Sequence, residues 1–223
     1  MAATIRTYAV KSGETFESIA AKRYKDEELA PRVARFNGFT EDAELVAGMA
    51  LRLPVAAVLL PTPNGFDEIV AAFGDIRKFV NQEGKINAAK WEGEILGKVT
   101  VPFRVKLGFP PSTTITRFSC HKQLEPTFKP VFEDIAGQGL RSSIRTWDGC
   151  YNYRMKRLSG AFSTHSWGIG IDLNASTNPQ GTSVKGDMDP AIVGIFRAHG
   201  FQWGGDIKGK SYDPMHFQFC TGY

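Results

Sequence analysis

The chain is poor in the residues that would place it in several large protein classes. It has three cysteines, Cys120, Cys150 and Cys220, and no CxxC pair. So few thiols at such spacings exclude a disulfide framework and a thiolate-rich structural zinc site. They are read as ordinary reduced thiols, with a Cys120–Cys150 pairing left open. No apolar run approaches the ~20 residues that span a bilayer, so no membrane insertion is expected. The start, MAATIRTYAVKSGET, lacks the apolar core of a secretory signal. The expectation is accumulation in the cytoplasm of the producing cell, with any extracytoplasmic substrate reached after release or by non-classical export.

Charge of one sign is scarce too. The net charge is +4, and residues 1–54 are neutral, with eight Lys/Arg against eight Asp/Glu. The excess lies in the remainder, where Arg141, Arg145, Arg154, Lys156 and Arg157 face one acid, Asp148, between positions 141 and 160. That run is either a solvated face or an attractor for an anionic polymer or substrate carboxylates. No nucleic-acid-binding signature accompanies it. A length of 223 residues with 42% hydrophobic and 22% charged residues suits a soluble globular protein of one or two domains.

What is present divides in two. In residues 1–54, Tyr8 and Val10 alternate as in a strand, and Ser12-Gly13 makes a turn. Thr15, with Ser18, caps a helix carrying Phe16, Ile19 and Ala20. A second helix carries Leu29, Val33 and Phe36 and stops at Asn37-Gly38. A closing strand runs from Met49 to Leu53. The order is β-α-α-β. Residues 55–65, with Pro61, Pro63, Asn64 and Gly65, read as a linker or turn. Residues 66–223 form the second unit, opening with a short amphipathic helix over Phe66, Ile69, Val70 and Phe73. The expected fold class is α+β, with a small antiparallel sheet and flanking helices in the second unit, and the protein is expected to be a monomer.

Two of only four histidines fall in the patterns SxHxxGxxxD (Ser163, His165, Gly168, Asp172) and DxxH (Asp213, His216). Two imidazoles and a carboxylate with a further carboxylate nearby are the inventory of a catalytic zinc site. Along Gly168–Leu173, Ile169, Ile171 and Leu173 share one face, and Gly168, Gly170 and Asp172 share the other. His216 and Gln218 likewise oppose Phe217 and Phe219. Paired side by side, these strands would make Asp172 and His216 cross-strand neighbours, with His165 entering from the preceding turn. Asp213 would stand beside the metal as general base. Asp206, after Gly204-Gly205, could orient a ligand histidine. His121 precedes a helix it could cap, and His199 ends a helical run where an imidazolium suits the dipole. Trp147, Trp167 and Trp203 lie near the motifs, as cleft walls or as core.

The first unit resembles a LysM domain through YxVxxGET, the SIAxxxY helix, the FNG turn and GMALRLP, although Glu14 stands where Asp is usual. The resemblance implies binding of N-acetylglucosamine-containing glycans such as peptidoglycan, in a groove near Gly13, Glu14 and Thr15 on one side and Asn37 and Gly38 on the other. From about residue 115 onward the chain is similar to the zinc D-alanyl-D-alanine carboxypeptidase (VanY-like) family, which includes the L-alanyl-D-glutamate endopeptidases of phage endolysins. The likeness is densest in GCYNYR, STHSWGIGIDLN, and GFQWGGD through DPMHFQF. It implies Zn²⁺ on His165, Asp172 and His216, with Asp213 as acid/base. It implies Ser163 near substrate or metal, and Arg154 on a substrate carboxylate or the scissile carbonyl. The carboxypeptidase branch commonly has Glu where this chain has Asp213, so Asp213 and WGGD look more like the endopeptidase branch. The implied reaction is hydrolysis of an amide in the peptidoglycan stem, L-Ala-D-Glu before D-Ala-D-Ala. A non-catalytic wall-binding protein with structural zinc is the reading of another class.

Overall fold

The computed structural model describes residues 7–40, 42–53, 60–83, 85–156, 159–181 and 186–223. Strand β1 (Thr7–Ala9) leads through a turn to helix α1 (Phe16–Tyr24). Thr15 and Ser18 form the expected capping box, each side chain accepting the other's backbone N–H. A 3-10 turn (Glu27–Leu29) precedes α2 (Ala30–Phe36), and β2 (Ala50–Arg52) returns antiparallel to β1 with Tyr8 opposite Leu51. The β-α-α-β order therefore stands. Its own core gathers Phe16, Ile19, Val33 and Leu51.

The second unit opens with α3 (Gly65–Phe73), whose Ile69 and Phe73 are buried as their spacing requires. Backbone bonds from Gly65 N to Thr221 O and from Thr221 N to Pro63 O tie its start to the C-terminal segment. Thr62 donates to Gly200 O, and Leu60 packs on the large core. Residues 60–65 thus lie against the second unit, while positions 55–59 of the sequence-derived linker fall outside the described residues.

Next come α4 (Ala88–Ile95) and a long hairpin of β3 (Leu96–Lys106) and β4 (Thr114–His121). Helix α5 (Glu125–Gly137) packs on β3 through its apolar face. Strands β5 (Trp147–Gly149) and β6 (Gly170–Leu173) follow, then α6 (Pro190–Ala198), β7 (Gln202–Trp203) and β8 (His216–Gln218). These last four strands form one antiparallel sheet in the order β5-β6-β8-β7. The result is a mixed helix-and-strand fold with small antiparallel sheets. One face of the four-stranded sheet buries Ile171, Leu173 and Phe217 against α5 and α6, where Phe196 stacks on Phe217. The other face is left to carry polar side chains.

The two units meet through α2 and α6. Arg32, 1% exposed, crosses from α2 to set its Nη2 3.1 Å from His199 Nδ1, and His199 Nε2 lies 2.7 Å from Asp134 Oδ2. Burial, aided by Arg32 and opposed by Asp134, pushes His199 down to about 4. His199 is therefore neutral at pH 7, donating to Asp134 and accepting from Arg32. That corrects the helix-dipole reading, which needs an imidazolium. The three cysteines are buried free thiols, and burial pushes Cys220 up to about 12.

Candidate functional site

The turn before β6 is built to deliver a histidine. Ser163 Oγ accepts from His165 N at 3.3 Å and caps the 3-10 turn Thr164–Trp167. Gly168 closes it at φ +68, where a Cβ would meet His121 N at 2.8 Å. The strand therefore begins at Gly170 rather than at Gly168, because the positive φ that ends the turn is not an extended conformation. Beyond that turn the expected alternation holds. In the register of β6 against β8, Asp172 faces His216 and Gly170 faces Gln218. A Cβ on Gly170 would lie 2.7 Å from Thr164 Oγ1 and 2.8 Å from His216 Cε1, so glycine supplies the space in which the imidazole sits.

Three potential ligand atoms converge here. His165 Nε2 is 3.1 Å from Asp172 Oδ2 and 3.2 Å from His216 Nδ1, and His216 Nδ1 is 2.7 Å from Asp172 Oδ1. A tetrahedral zinc with bonds of about 2.0–2.1 Å separates its ligands by roughly 3.3 Å. The triangle is close to that size, and its N, N, O donor set leaves a fourth position open.

The hydrogen bonds around the triangle settle what its corners present. His165 Nδ1 lies 2.6 Å from the carbonyl of Cys150, which can only accept, so the ring proton sits on Nδ1 and Nε2 carries a lone pair. Gln218 Nε2 faces Gln202 Oε1 at 3.1 Å and Cys220 O at 3.5 Å. Its Oε1 therefore points to His216 Nε2, 3.2 Å away, and holds the proton there. In the neutral ring, His216 Nδ1 then presents its lone pair toward Asp172. Burial pushes the Asp172 carboxyl up, but the adjacent His165 and His216 more than reverse this and keep it well below the usual carboxylate range. Two lone pairs and a carboxylate at these distances repel one another unless a cation joins them. The donor set thus fits a divalent metal, as the grouping of His165, Asp172 and His216 within 4.8 Å also allows.

A cleft of ≈ 460 Å³ opens over this face, and Arg154, Ser163, His165, Asp213 and His216 all line it. Arg154 Nη2 stands 3.8 Å from Asp172 Oδ2. Its backbone is braced by Ser166, whose Oγ accepts from Arg154 N at 3.0 Å and donates to Arg154 O at 2.8 Å. Ser163 is 4% exposed, and its hydroxyl is committed to the turn, so it positions His165. Asp213 lies outside the metal-sized cluster but lines the same cleft; burial pushes His216 down, and Asp172 first, with Asp213 adding to it, more than reverses this. The WGGD segment explains how Asp213 is held. Asp213 N donates to Gly204 O at 3.0 Å, a Cβ on Gly204 would meet Asp213 O at 2.3 Å, and Trp203 Nε1 donates to Pro214 O at 2.8 Å.

Several expectations need correction. Asp206 makes an exposed ion pair with Arg197, Oδ1 2.6 Å from Nη2, and orients no ligand histidine among the described residues. Its position at the end of the turn, facing α6, points it away from the sheet face. The tryptophans do not wall the cleft. Trp147 and Trp167 are buried in the core, and Trp203 holds the Asp213 loop from behind. His121 does act as a cap, its Nδ1 accepting from Gln123 N, and packs edge-on against Phe73. The basic run is not one solvated face: Arg145 pairs with Asp187 at 2.6 Å, whereas Arg154 and Lys156 enter the cleft.

In the first unit, Gly13, Glu14 and Thr15 line a second cleft, whose opposite wall is Asp42–Leu45 rather than Asn37 and Gly38. Asn37 is a structural clasp. Its amide donates to Val33 O and Arg52 O and accepts from Arg52 N, which leaves it no group for a ligand. Gly38 supplies the positive φ that ends α2. Glu14 is held well below its ordinary range, to about 2, by hydrogen bonds from Tyr8 and the Lys11 backbone, with Lys22 adding to them.

Sequence reasoning missed three contributors. Thr164 sets its Oγ1 3.2 Å from His216 Nε2, and Gln218 fixes the proton of that ring. Gln218 was legible as sharing the polar face with His216; that it orients the ring was not. The Cys150 carbonyl is backbone, and no side-chain pattern reports it.

A protein-family model described as D-alanyl-D-alanine carboxypeptidase matches residues 157–219. The match spans Ser163, His165, Asp172, Asp213 and His216, and leaves out Arg154 and the whole first unit. It supports a peptidase acting on peptidoglycan. No curated protein and no solved structure matches the chain.

Proposed function

We propose that the protein is a zinc peptidase that hydrolyses an amide in the stem peptide of peptidoglycan. The observation that carries this reading is the convergence of His165, Asp172 and His216 lone pairs at the floor of a cleft that also holds Asp213 and Arg154. His165 Nε2, His216 Nδ1 and an Asp172 oxygen would hold Zn²⁺. When bound, the ion supplies Lewis-acid polarisation of the scissile carbonyl.

The chain's own residues do the rest. The Asp213 carboxylate accepts a proton from the attacking water and delivers it to the leaving amine nitrogen. Arg154, a cation beside Asp172, hydrogen-bonds the carbonyl oxygen as negative charge develops on it. Ser163 and Ser166 keep His165 and Arg154 in place. Residues 7–54 would bind N-acetylglucosamine-containing glycan. The β-α-α-β order and the cleft between Gly13–Glu17 and Asp42–Leu45 support this. Such binding raises the local concentration of stems without new contacts at the catalytic cleft.

The L-Ala-D-Glu bond is the one proposed, on Asp213 in place of Glu and on the Gly204 contact that holds it. Cleavage of D-Ala-D-Ala is the second reading, favoured by the description of the matching family. Digestion of purified peptidoglycan with mass analysis separates them, since one releases a tripeptide or longer fragment and the other free D-alanine. Asp213→Ala, with zinc content measured, tests the reading itself. Cleavage lost while zinc is retained supports it, and unchanged cleavage removes Asp213 from the reaction. No cleavage by zinc-loaded wild type, across several wall types, overturns the peptidase.

A further inference from the structure

One cation in the cleft has no part in the reaction above. Lys156 lines the cleft two residues beyond Arg154, and the Met155–Phe162 bridge keeps this segment extended. Alternation along it puts Arg154 and Lys156 on the cleft side and turns Met155, 46% exposed, outward. The Lys156 ammonium rests 3.5 Å from the centroid of the Tyr223 ring, a cation–π contact. That ring is pinned in turn, since Tyr223 Oη donates to Phe162 O at 2.7 Å.

What Lys156 lacks is a counter-charge. Among the described residues no carboxylate lies within ion-pair distance of its Nζ, whereas Arg145 and Arg197 each have an aspartate at 2.6 Å. Burial pushes the ammonium below its ordinary range, with Cys220 pulling the other way. A half-buried cation with an aromatic platform and an open side toward a cleft is poised to take an anion.

We propose that Lys156, seated on Tyr223, recognises the free α-carboxylate of the amino acid on the leaving side of the scissile amide. The inference rests on the peptidase reading for the identity of that anion. It holds for either bond, because a carboxyl-terminal D-Ala and a γ-linked D-Glu both carry an unblocked carboxylate on the carbon next to the leaving nitrogen. The two cations then divide the substrate between them. Arg154, beside Asp172, serves the carbonyl, and Lys156 serves the carboxylate one residue further on. Substrate class follows: stem peptides with a free carboxylate there are preferred over those in which it is amidated.

The test uses the full-length, zinc-loaded protein and paired stem peptides that differ only in carrying a carboxylate or a carboxamide at that carbon. Wild type is expected to favour the carboxylate in KM, and Lys156→Met to reduce the ratio of kcat/KM values by about 10- to 100-fold, the usual worth of a charged hydrogen bond. Lys156→Arg, which keeps the charge over the ring, should retain most of the ratio and guards against a folding defect in the methionine variant. Equal cleavage of both peptides by wild type, or a ratio unmoved by Lys156→Met, overturns the inference and leaves the peptidase standing. Calorimetric binding of the same peptides to the Asp213→Asn protein separates the two failures. Carboxylate-dependent binding to that protein, lost when Lys156→Met is added, while zinc-loaded wild type cleaves neither peptide, upholds the subsite and sinks the peptidase.

Discussion

Asp172 and His216 face one another across adjacent antiparallel strands, with the Asp172 carboxylate 2.7 Å from His216 Nδ1. That pairing depends on register, and a slip of one residue in either strand would turn that strand's ligand into the apolar core. Ile171 and Phe217, fully buried on the opposite face, make such a slip costly. The packing of the core is thus what aligns two of the three candidate ligands.

The tautomer of His216 depends on Gln218, a positioning residue. Gln218→Leu should remove the acceptor for His216 Nε2–H and weaken zinc binding by about 10- to 100-fold. Competition with a chromogenic chelator measures the affinity, and ¹⁵N chemical shifts of the imidazole report the proton. Unchanged affinity with an unchanged tautomer would refute the role.

Space over the sheet is equally specific. Gly170→Ala places a Cβ under 3 Å from both His216 and Thr164. The expected result is loss of bound zinc and a drop in stability of about 1–3 kcal/mol, from overpacking. Metal analysis and urea unfolding check both. A zinc-replete variant with wild-type stability would show that the ring moves aside freely.

Asp213→Asn keeps the shape of the loop against Gly204 while removing the base. Cleavage should fall by about 10²–10⁴-fold, the ordinary contribution of positioned acid–base catalysis. Zinc content should not change, because Asp213 lies outside the ligand triangle.

Stability should fall on mild acidification for a reason unrelated to the metal site. Burial pushes His121 and His199 down to about 4, so both stay neutral in the fold at pH values where an unfolded chain would already be charged. Between the unfolded value near 6.5 and about 4 the unfolded state binds more protons, so stability rises with pH across that window and is lost as pH falls through it. Urea unfolding from pH 7 to 4.5 should show the decline, and His121→Gln should flatten it. Stability that holds constant or increases toward pH 4.5 would contradict the assignment of neutral rings.

The contact between the units can be probed at Arg32. Removing one member of a buried charged network costs about 3–5 kcal/mol when the others stay buried. Arg32→Met should therefore destabilise the protein by a comparable amount and loosen α2 from α6. Hydrogen exchange in those helices is the measurement. Unaltered protection there would mean that apolar packing alone holds the units together.

The chain read by itself determined a good deal. Alternation in Gly170–Leu173 and His216–Gln218 assigns which residues share the polar face, because a strand's period of two leaves no other choice. The Thr15–Ser18 cap and the Asn37-Gly38 stop bound their helices, because those signals act within one turn. The histidine and aspartate spacings of both motifs pointed to one metal-sized cluster. Tertiary structure decided what depends on distant segments meeting. Asp206 turned to Arg197, Asn37 to the backbone of β2, and His199 to Arg32 and Asp134, since each satisfied its polar groups with the nearest partner that the packing supplied. The same holds for the proton positions on His165 and His216, set by a carbonyl at Cys150 and an amide at Gln218. A sequence names donors and acceptors, but only the folded chain brings them within hydrogen-bonding distance.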